Sequence, residues 1–377
     1  MKSSLAVLGA LAAIGLSACA SDPSDSTASG DLSVAASDSK CEVSATKLKA
    51  GPSTFKVSNK GSKVTEFYVY ADGDRIMGEV ENIGPGLTRN LVVDLPKGTY
   101  EGACKPGMIG DGIRQTLTVT GGAAKKLSDS QELQAAADSY ARYVKSQSDT
   151  LIVKTTEFVD AVKAGDVDKA KKLYPIARTY WERIEPVAEK FGDLDPITDG
   201  REPDAKAEGV DFTGWHRIEK QLWVEDNTEG MDKYADQLLA NVKKIVQLGQ
   251  DTPLTALELA QGSKGLLDEV ATGKITGEED EFSHTDLWDF KANIEGSQAA
   301  IASLRPVLEK QDPALVKKID AQFAALDKEL NQHQDKTTGD WMFYDELTKD
   351  QIKALSNAVA GLSEPISQVA AVVAKSA

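Results

Sequence analysis

Thr213-Gly214-Trp215-His216-Arg217-Ile218-Glu219-Lys220-Gln221-Leu222-Trp223 is the stretch on which the reading of this chain turns. Trp215, Ile218 and Leu222 recur at three- and four-residue spacing, which predicts a helix with one apolar face. On that helix His216 and Glu219 stand three apart, so an imidazole and a carboxylate project side by side. The pair is half of a metal site, and equally the pattern of a core histidine held by an acid. Only His284 and His333 could add another imidazole, so the search for partners falls on carboxylates.

The surroundings of this stretch are helical. Leu133, Tyr140, Val144, Leu151, Phe158 and Val162 follow a helical period, with Ser128 or Asp129 as a cap. Gly165-Asp166 closes that helix and opens a second through Lys171, Tyr174, Trp181 and Phe191, which Pro175 and Pro186 should kink or break. Further helices are expected over 231–248, 253–271, 285–308, 313–333 and 348–375. Such segments predict an up-and-down all-α bundle over residues 123–377, and bundles hold metal sites between facing helices. Glu182 and Glu185 sit three apart on one face beside Trp181 and Ile184, although acid pairs of this kind usually face solvent. Between them and His216 lies an acidic loop, Asp193 to Asp199. A second acidic run, Glu278-Glu279-Asp280-Glu281, reads as the N-terminal charge of the next helix, with Ser283 or Thr285 as its cap. His284 and Asp286 are secondary candidates to line a site. His333, among Asn331, Gln332 and Gln334, reads as a surface residue.

Residues 39–122 change period. Phe55-Lys56-Val57-Ser58-Asn59, Glu66-Phe67-Tyr68-Val69-Tyr70, residues 88–95 and Gln115-Thr116-Leu117-Thr118-Val119 are short β-prone runs separated by Gly, Pro, Asn and Asp turns. This spacing predicts a β-sandwich. Its cysteines, Cys41 and Cys104, allow two readings: a disulfide, or a mixed site with Glu66 and Glu101 for a soft or borderline cation such as copper or zinc.

Residues 1–19 read as a signal peptide: Lys2, a short apolar run, then Leu16-Ser17-Ala18-Cys19. That last motif resembles a bacterial lipobox, which would make Cys19 the lipidated residue and place the mature chain outside the cytoplasm, at the membrane surface or in the periplasm. Residues 20–38 are Ser-, Ala- and Asp-rich and read as a flexible tether. The formal charge of −16 over 377 residues argues against nucleic acid as a partner, because phosphate backbones need basic patches.

Together these features resemble a known family. Phe55-x-Val57-x-Asn59-x-Gly61 and Gly98-x-Tyr100-x-x-x-Cys104-x-Pro106 are similar to cupredoxin segments, but residues 1–215 hold no histidine for a blue-copper site. Gly214-x-His216-x-x-Glu219 is the mark of the imelysin-like family. The combination resembles the EfeO-type component of bacterial iron-uptake systems. The resemblance implies a cupredoxin-like β-sandwich followed by an imelysin-like pair of four-helix bundles. It also implies an iron site (Fe2+ or Fe3+) made of Glu182, Glu185, Asp199 and His216, with Glu219 alongside. The implied partners are a membrane iron permease and a haem peroxidase, and the implied role is delivery rather than catalysis. Two other readings stay open: a metal-dependent peptidase, which would need His284 as a second nitrogen ligand, and a protein that binds anionic polysaccharide through a bridging cation.

Overall fold

A computed structural model of the chain describes residues 31–72, 76–121, 130–185 and 194–376. Within these, β1 (Asp31–Ala36), β2 (Cys41–Val43), β3 (Lys47–Lys49), β4 (Gly51–Asn59), β5 (Thr65–Tyr70), β6 (Ile76–Ile83), β7 (Thr88–Leu95), β8 (Gly98–Pro106) and β9 (Ile113–Thr120) build two sheets. Their orders are β2-β1-β4-β7 and β3-β9-β8-β5-β6. β1 runs parallel to β4 and β3 parallel to β9, while the other ladders are antiparallel. The pleat sends Phe55, Val57, Phe67, Val69, Cys104, Leu117 and Val119 into one shared core. Cys41 and Cys104 are joined in a disulfide that ties β2 of one sheet to β8 of the other.

Two expectations are corrected here. The stretch 20–38 is not tether throughout, because β1 occupies residues 31–36 and pairs with β4 along its length. Leu32, Val34 and Ala36 alternate into the core; small neighbours hid that period behind a linker-like composition. Residues 1–30, Cys19 among them, lie outside the described residues. The second correction concerns Cys41, Glu66, Glu101 and Cys104, which form no mixed site. Both sulfurs are consumed by the disulfide. Residue alternation then puts Glu66 and Glu101 on the sheet face of Tyr68, Tyr70 and Ala103, opposite to Cys104. Glu101 pairs with Arg114 at 2.9 Å. Glu66 is raised to about 7 by burial and by the nearby Glu81 carboxylate.

Among the described residues the helices are α1 (Gln131–Lys163), α2 (Val167–Glu182), α3 (Asp195–Asp199), α4 (Glu202–Glu208), α5 (Gly214–Val224), α6 (Asp232–Asp251), α7 (Ala256–Thr272), α8 (Asp286–Gln311), α9 (Pro313–Leu330), α10 (Lys349–Ile366) and α11 (Val369–Lys375). Ser130 caps α1 by accepting from the Leu133 amide, and Asp166 caps α2 by accepting from Lys169. Pro175 lies inside α2, which continues past it to Glu182; Pro186, Phe191 and Asp193 lie outside the described residues. The single helix expected over 348–375 is two, parted after Ile366. α1 packs on α2, α6 and α8, and α8 in turn packs on α7 and α9, so α8 belongs to both halves of the helical region. The two folded regions touch: Gln261 on α7 donates to the Val92 carbonyl of β7 at 2.7 Å, and Arg89 pairs with Asp268 at 3.5 Å.

His333 is a further correction. It is 4% exposed rather than on the surface, and neither ring nitrogen has a hydrogen-bond partner among the described residues. Burial accordingly lowers its pKa.

Candidate metal centre

Five pieces of chain converge beneath the aromatic cluster of Phe158, Tyr174 and Trp215. α2 contributes Tyr174, Arg178 and Glu182 from one face at four-residue intervals, and Glu185 follows one turn later. α8 contributes Asp289 and Asn293 by the same rule. The connection after α7 supplies Lys274 from a three-residue 3-10 turn, then Glu279 and Asp280. α5 supplies His216 and Glu219, and the end of α3 supplies Asp199.

The approach of α3 to α5 depends on one glycine. Gly214 has φ +76° at the first position of α5, and a Cβ there would overlap the Thr198 carbonyl oxygen. Thr213 fastens the same junction by donating to the Ile197 carbonyl at 2.6 Å. Gly214→Ala is therefore expected to cost at least about 2 kcal/mol, from a left-handed backbone and a displaced helix end. Thermal melting followed by circular dichroism checks this. An unchanged midpoint would show that the junction tolerates a side chain.

His216 is 2% exposed. Its Nδ1 lies 2.9 Å from Glu219 Oε2 and 3.3 Å from the Tyr174 hydroxyl. Glu219 is engaged on its other oxygen too, accepting from the Phe282 and Ser283 amides at 3.0 and 2.8 Å. It therefore orients the ring and anchors the 280s loop together. His216 Nε2 points the other way. It lies 3.3 Å from Asp199 Oδ1 and 3.8 Å from Glu279 Oε1, with no hydrogen bond of good geometry among the described residues.

Two buried cations sit among the acids. Arg178, 0% exposed, donates Nε to Asp289 at 2.7 Å and Nη2 to Glu182 at 2.6 Å and Glu279 at 3.1 Å. Its Nη1 donates to Asp199. Lys274 donates to Glu182 and, at 3.1 Å, to Glu185. Asn293 Nδ2 donates to Glu182 Oε2 and Glu185 Oε2, at 2.9 Å each. Asp280 accepts from the Tyr174 hydroxyl at 3.0 Å and the Thr285 hydroxyl at 2.6 Å.

The result is a surplus of buried negative charge. Glu182, Glu185, Asp199, Glu219, Glu279, Asp280 and Asp289 place oxygens in four overlapping groups, two of which include His216, with ligand atoms in each group within 4.8 Å of one another. Arg178 and Lys274 cannot balance seven carboxylates, and protons take part of the difference. Burial raises Asp280 to about 7 and, helped by Asp280, Asp286 to about 8. Burial and the Glu182 charge push Glu185 well above the ordinary carboxylate range. Burial works against charging the His216 ring, as does Arg178, but Asp199, Glu219 and Glu279 outweigh them and hold it protonated well above an ordinary imidazole. Burial alone would raise Asp199, yet Arg178 and His216 keep it down at about 2. Buried carboxylates with an outward ring nitrogen among them form a set that a hard or borderline multivalent cation fits.

The structure thus brings Glu182, Glu185, Asp199, His216 and Glu219 together, the five residues of the iron site that the family resemblance implies, while Asp286, a secondary candidate, joins none of the four groups. It adds Arg178, Lys274, Glu279, Asp280, Asp289 and Asn293, which sequence reading missed. Thr285 makes no side-chain cap to α8 and spends its hydroxyl on Asp280. The acids read as helix-end charge belong to this cluster instead. His284 joins none of the four groups.

Comparison with known proteins agrees with this layout. The Imelysin family (Peptidase M75) matches residues 136–369, and the Cupredoxin-like domain family matches residues 8–119. Proteins named iron uptake system component EfeO, from Escherichia coli O1:K1, Escherichia coli K12 and Shigella flexneri, are each 38% identical over 347 residues, covering 91% of this chain and 91% of theirs. The chain belongs to the EfeO family. A solved structure described as an iron-regulated protein A precursor from Parabacteroides distasonis aligns at 16% identity and a TM-score of 0.48, over 64% of this chain and 95% of that one. The EfeO-type order, a cupredoxin-like region before an imelysin region, is the order of sandwich and helices seen here.

Proposed function

We propose that this EfeO-family chain is the non-catalytic iron-holding component of an extracytoplasmic uptake system, and that its iron seat is the cluster around His216. One observation carries the reading. The His216 Nε2 atom, 2% exposed on its residue and without a hydrogen bond among the described residues, is aimed at a pocket of carboxylates that Arg178 and Lys274 do not balance. Asp199, Glu279 and His216 would supply the ligands on one side, and Glu182 and Glu185 those on the other. Glu219 has the position of an orienting residue: it holds Nδ1 so that Nε2 stays free to coordinate, a role such partners often play around metal-bound imidazoles.

The names of the relatives supply the cargo and the system. The family resemblance adds the onward steps, transfer to a membrane permease with a haem peroxidase as a third component, and the lipobox-like Leu16-Ser17-Ala18-Cys19 adds attachment through Cys19. Among the described residues no helix is long and apolar enough to cross a membrane. The peptidase reading is disfavoured by His284, which joins none of the candidate groups and leaves His216 as their single imidazole.

Calorimetric titration of the whole chain, with iron as the anaerobic ferrous ion and as ferric nitrilotriacetate, tests the proposal. One tight site per chain is expected, with no proteolysis of casein by the iron-loaded protein. Absence of tight binding for both forms would rule the reading out.

A further inference from the structure

The cluster already contains a lysine ammonium. Lys274 is 2% exposed, donates to Glu182 and Glu185, and stands 3.8 Å from Glu279 Oε1. That same oxygen lies 3.8 Å from His216 Nε2 and 3.1 Å from Arg178 Nη2. The ammonium therefore sits across the seat from the open ring nitrogen, on the carboxylates a bound cation would need.

Arg178 and Lys274 differ in how firmly they are held. Arg178 rises from the last turns of α2 and is locked by four hydrogen-bonded carboxylates, on α2, α3, α8 and, through Glu279, the connection after α7. Its planar fork suits that many partners at once. Lys274 is a point charge on a flexible stem. It stands on a three-residue 3-10 turn bounded by Gly273 and Gly277, and the Tyr344 hydroxyl ties that turn by donating to the Ile275 carbonyl. Asn293 grips the same oxygens of Glu182 and Glu185 that Lys274 contacts. Both carboxylates thus stay aligned if the ammonium withdraws.

We propose that Lys274 is a built-in occupant of the cation seat, expelled when the cargo binds. The proposal rests on the iron reading above and adds to it a device for selectivity. Exchanging one ammonium for a monovalent ion adds no charge among the carboxylates. Exchanging it for a divalent or trivalent ion adds one or two, and attraction to several acids grows in proportion. The seat is then closed to sodium and potassium and opened by iron.

The test uses the full chain, with ferrous iron under anaerobic conditions and ferric nitrilotriacetate as probes. Lys274→Met keeps the stem and removes the charge. Because an occupied seat lowers apparent affinity by the fraction of molecules in which it is free, the variant is expected to bind iron about 10- to 100-fold more tightly. In parallel, amine acetylation of the unaltered chain is read lysine by lysine by mass spectrometry. Lys274 should be protected in the metal-free protein and acetylated at least about tenfold faster with iron bound. The labelling result decides if the variant does not fold or the two readouts disagree. Normal iron binding with a Lys274 equally protected in both states overturns the lysine's role and leaves the iron site standing. A wild-type chain that takes up no iron overturns both.

Discussion

Replacing Arg178 with methionine is expected to lower the melting temperature of the metal-free chain by about 10 °C or more, the largest stability effect of any single change in the cluster. Removing one partner from a buried ionic network costs about 3–5 kcal/mol, because the opposite charges stay buried without compensation. In a helical region of this size each kcal/mol moves the midpoint by about 2–4 °C. Four carboxylates lose a hydrogen bond at once: Glu182, Asp199, Glu279 and Asp289. They can respond by taking up protons, so the loss should shrink in acid and grow as pH rises. Circular dichroism melts at pH 5.5 and 8, taken on both proteins, measure this. A midpoint within about 2 °C of wild type at both values would mean that Arg178 is not the keystone its contacts suggest.

His216→Ala should weaken iron binding by on the order of 100-fold while leaving the fold in place, since even partners one shell removed from a metal are worth about 10- to 100-fold. Titration of the variant beside the wild type reads this, and an unchanged affinity removes His216 from the ligand set. Proton release gives a second readout. In the metal-free protein His216 holds its proton well above the ordinary imidazole range, and Asp280 and Asp286 are raised to about 7 and about 8. The folded-state pKa values of the two aspartates exceed the unfolded ones, so the stability they contribute is complete below the ordinary carboxylate range and is lost as pH rises through about 7 and about 8. Iron at the ring nitrogen must displace the His216 proton, so its affinity should strengthen as pH rises, with protons released on binding. Titrations in buffers of different ionisation enthalpy count them. The count should fall in His216→Ala.

How the sequence could reveal this site, and where it could not, follows from local and tertiary patterns. His216 and Glu219 declare themselves because three-residue spacing on a helix is a local property. The sandwich declares itself through the two-residue period of strands such as β4 and β5. Glu182 is a candidate through its spacing to Glu185, and Arg178 was also legible in principle. Tyr174, Ala177 and Trp181 make an apolar stripe, and both charged residues fall within it, where a solvated side chain has no place. Glu279 and Asp280 were not legible. Their run looks like the charged start of α8, and only tertiary contact with α2 and α5 turns it inward. Lys274 is the extreme case, a lone lysine between two glycines with no local sign of burial. β1 was hidden differently: its small residues pair as a strand yet read by composition as linker.

The central claim is that one imidazole and several carboxylates, with no sulfur, hold the cargo. X-ray absorption at the iron edge of the loaded, full-length protein tests it most directly. The account predicts a first shell of oxygen and nitrogen donors with the outer-shell scattering of a single imidazole, which disappears in His216→Ala. A sulfur scatterer, two imidazoles, or an imidazole signal that survives that substitution would contradict it.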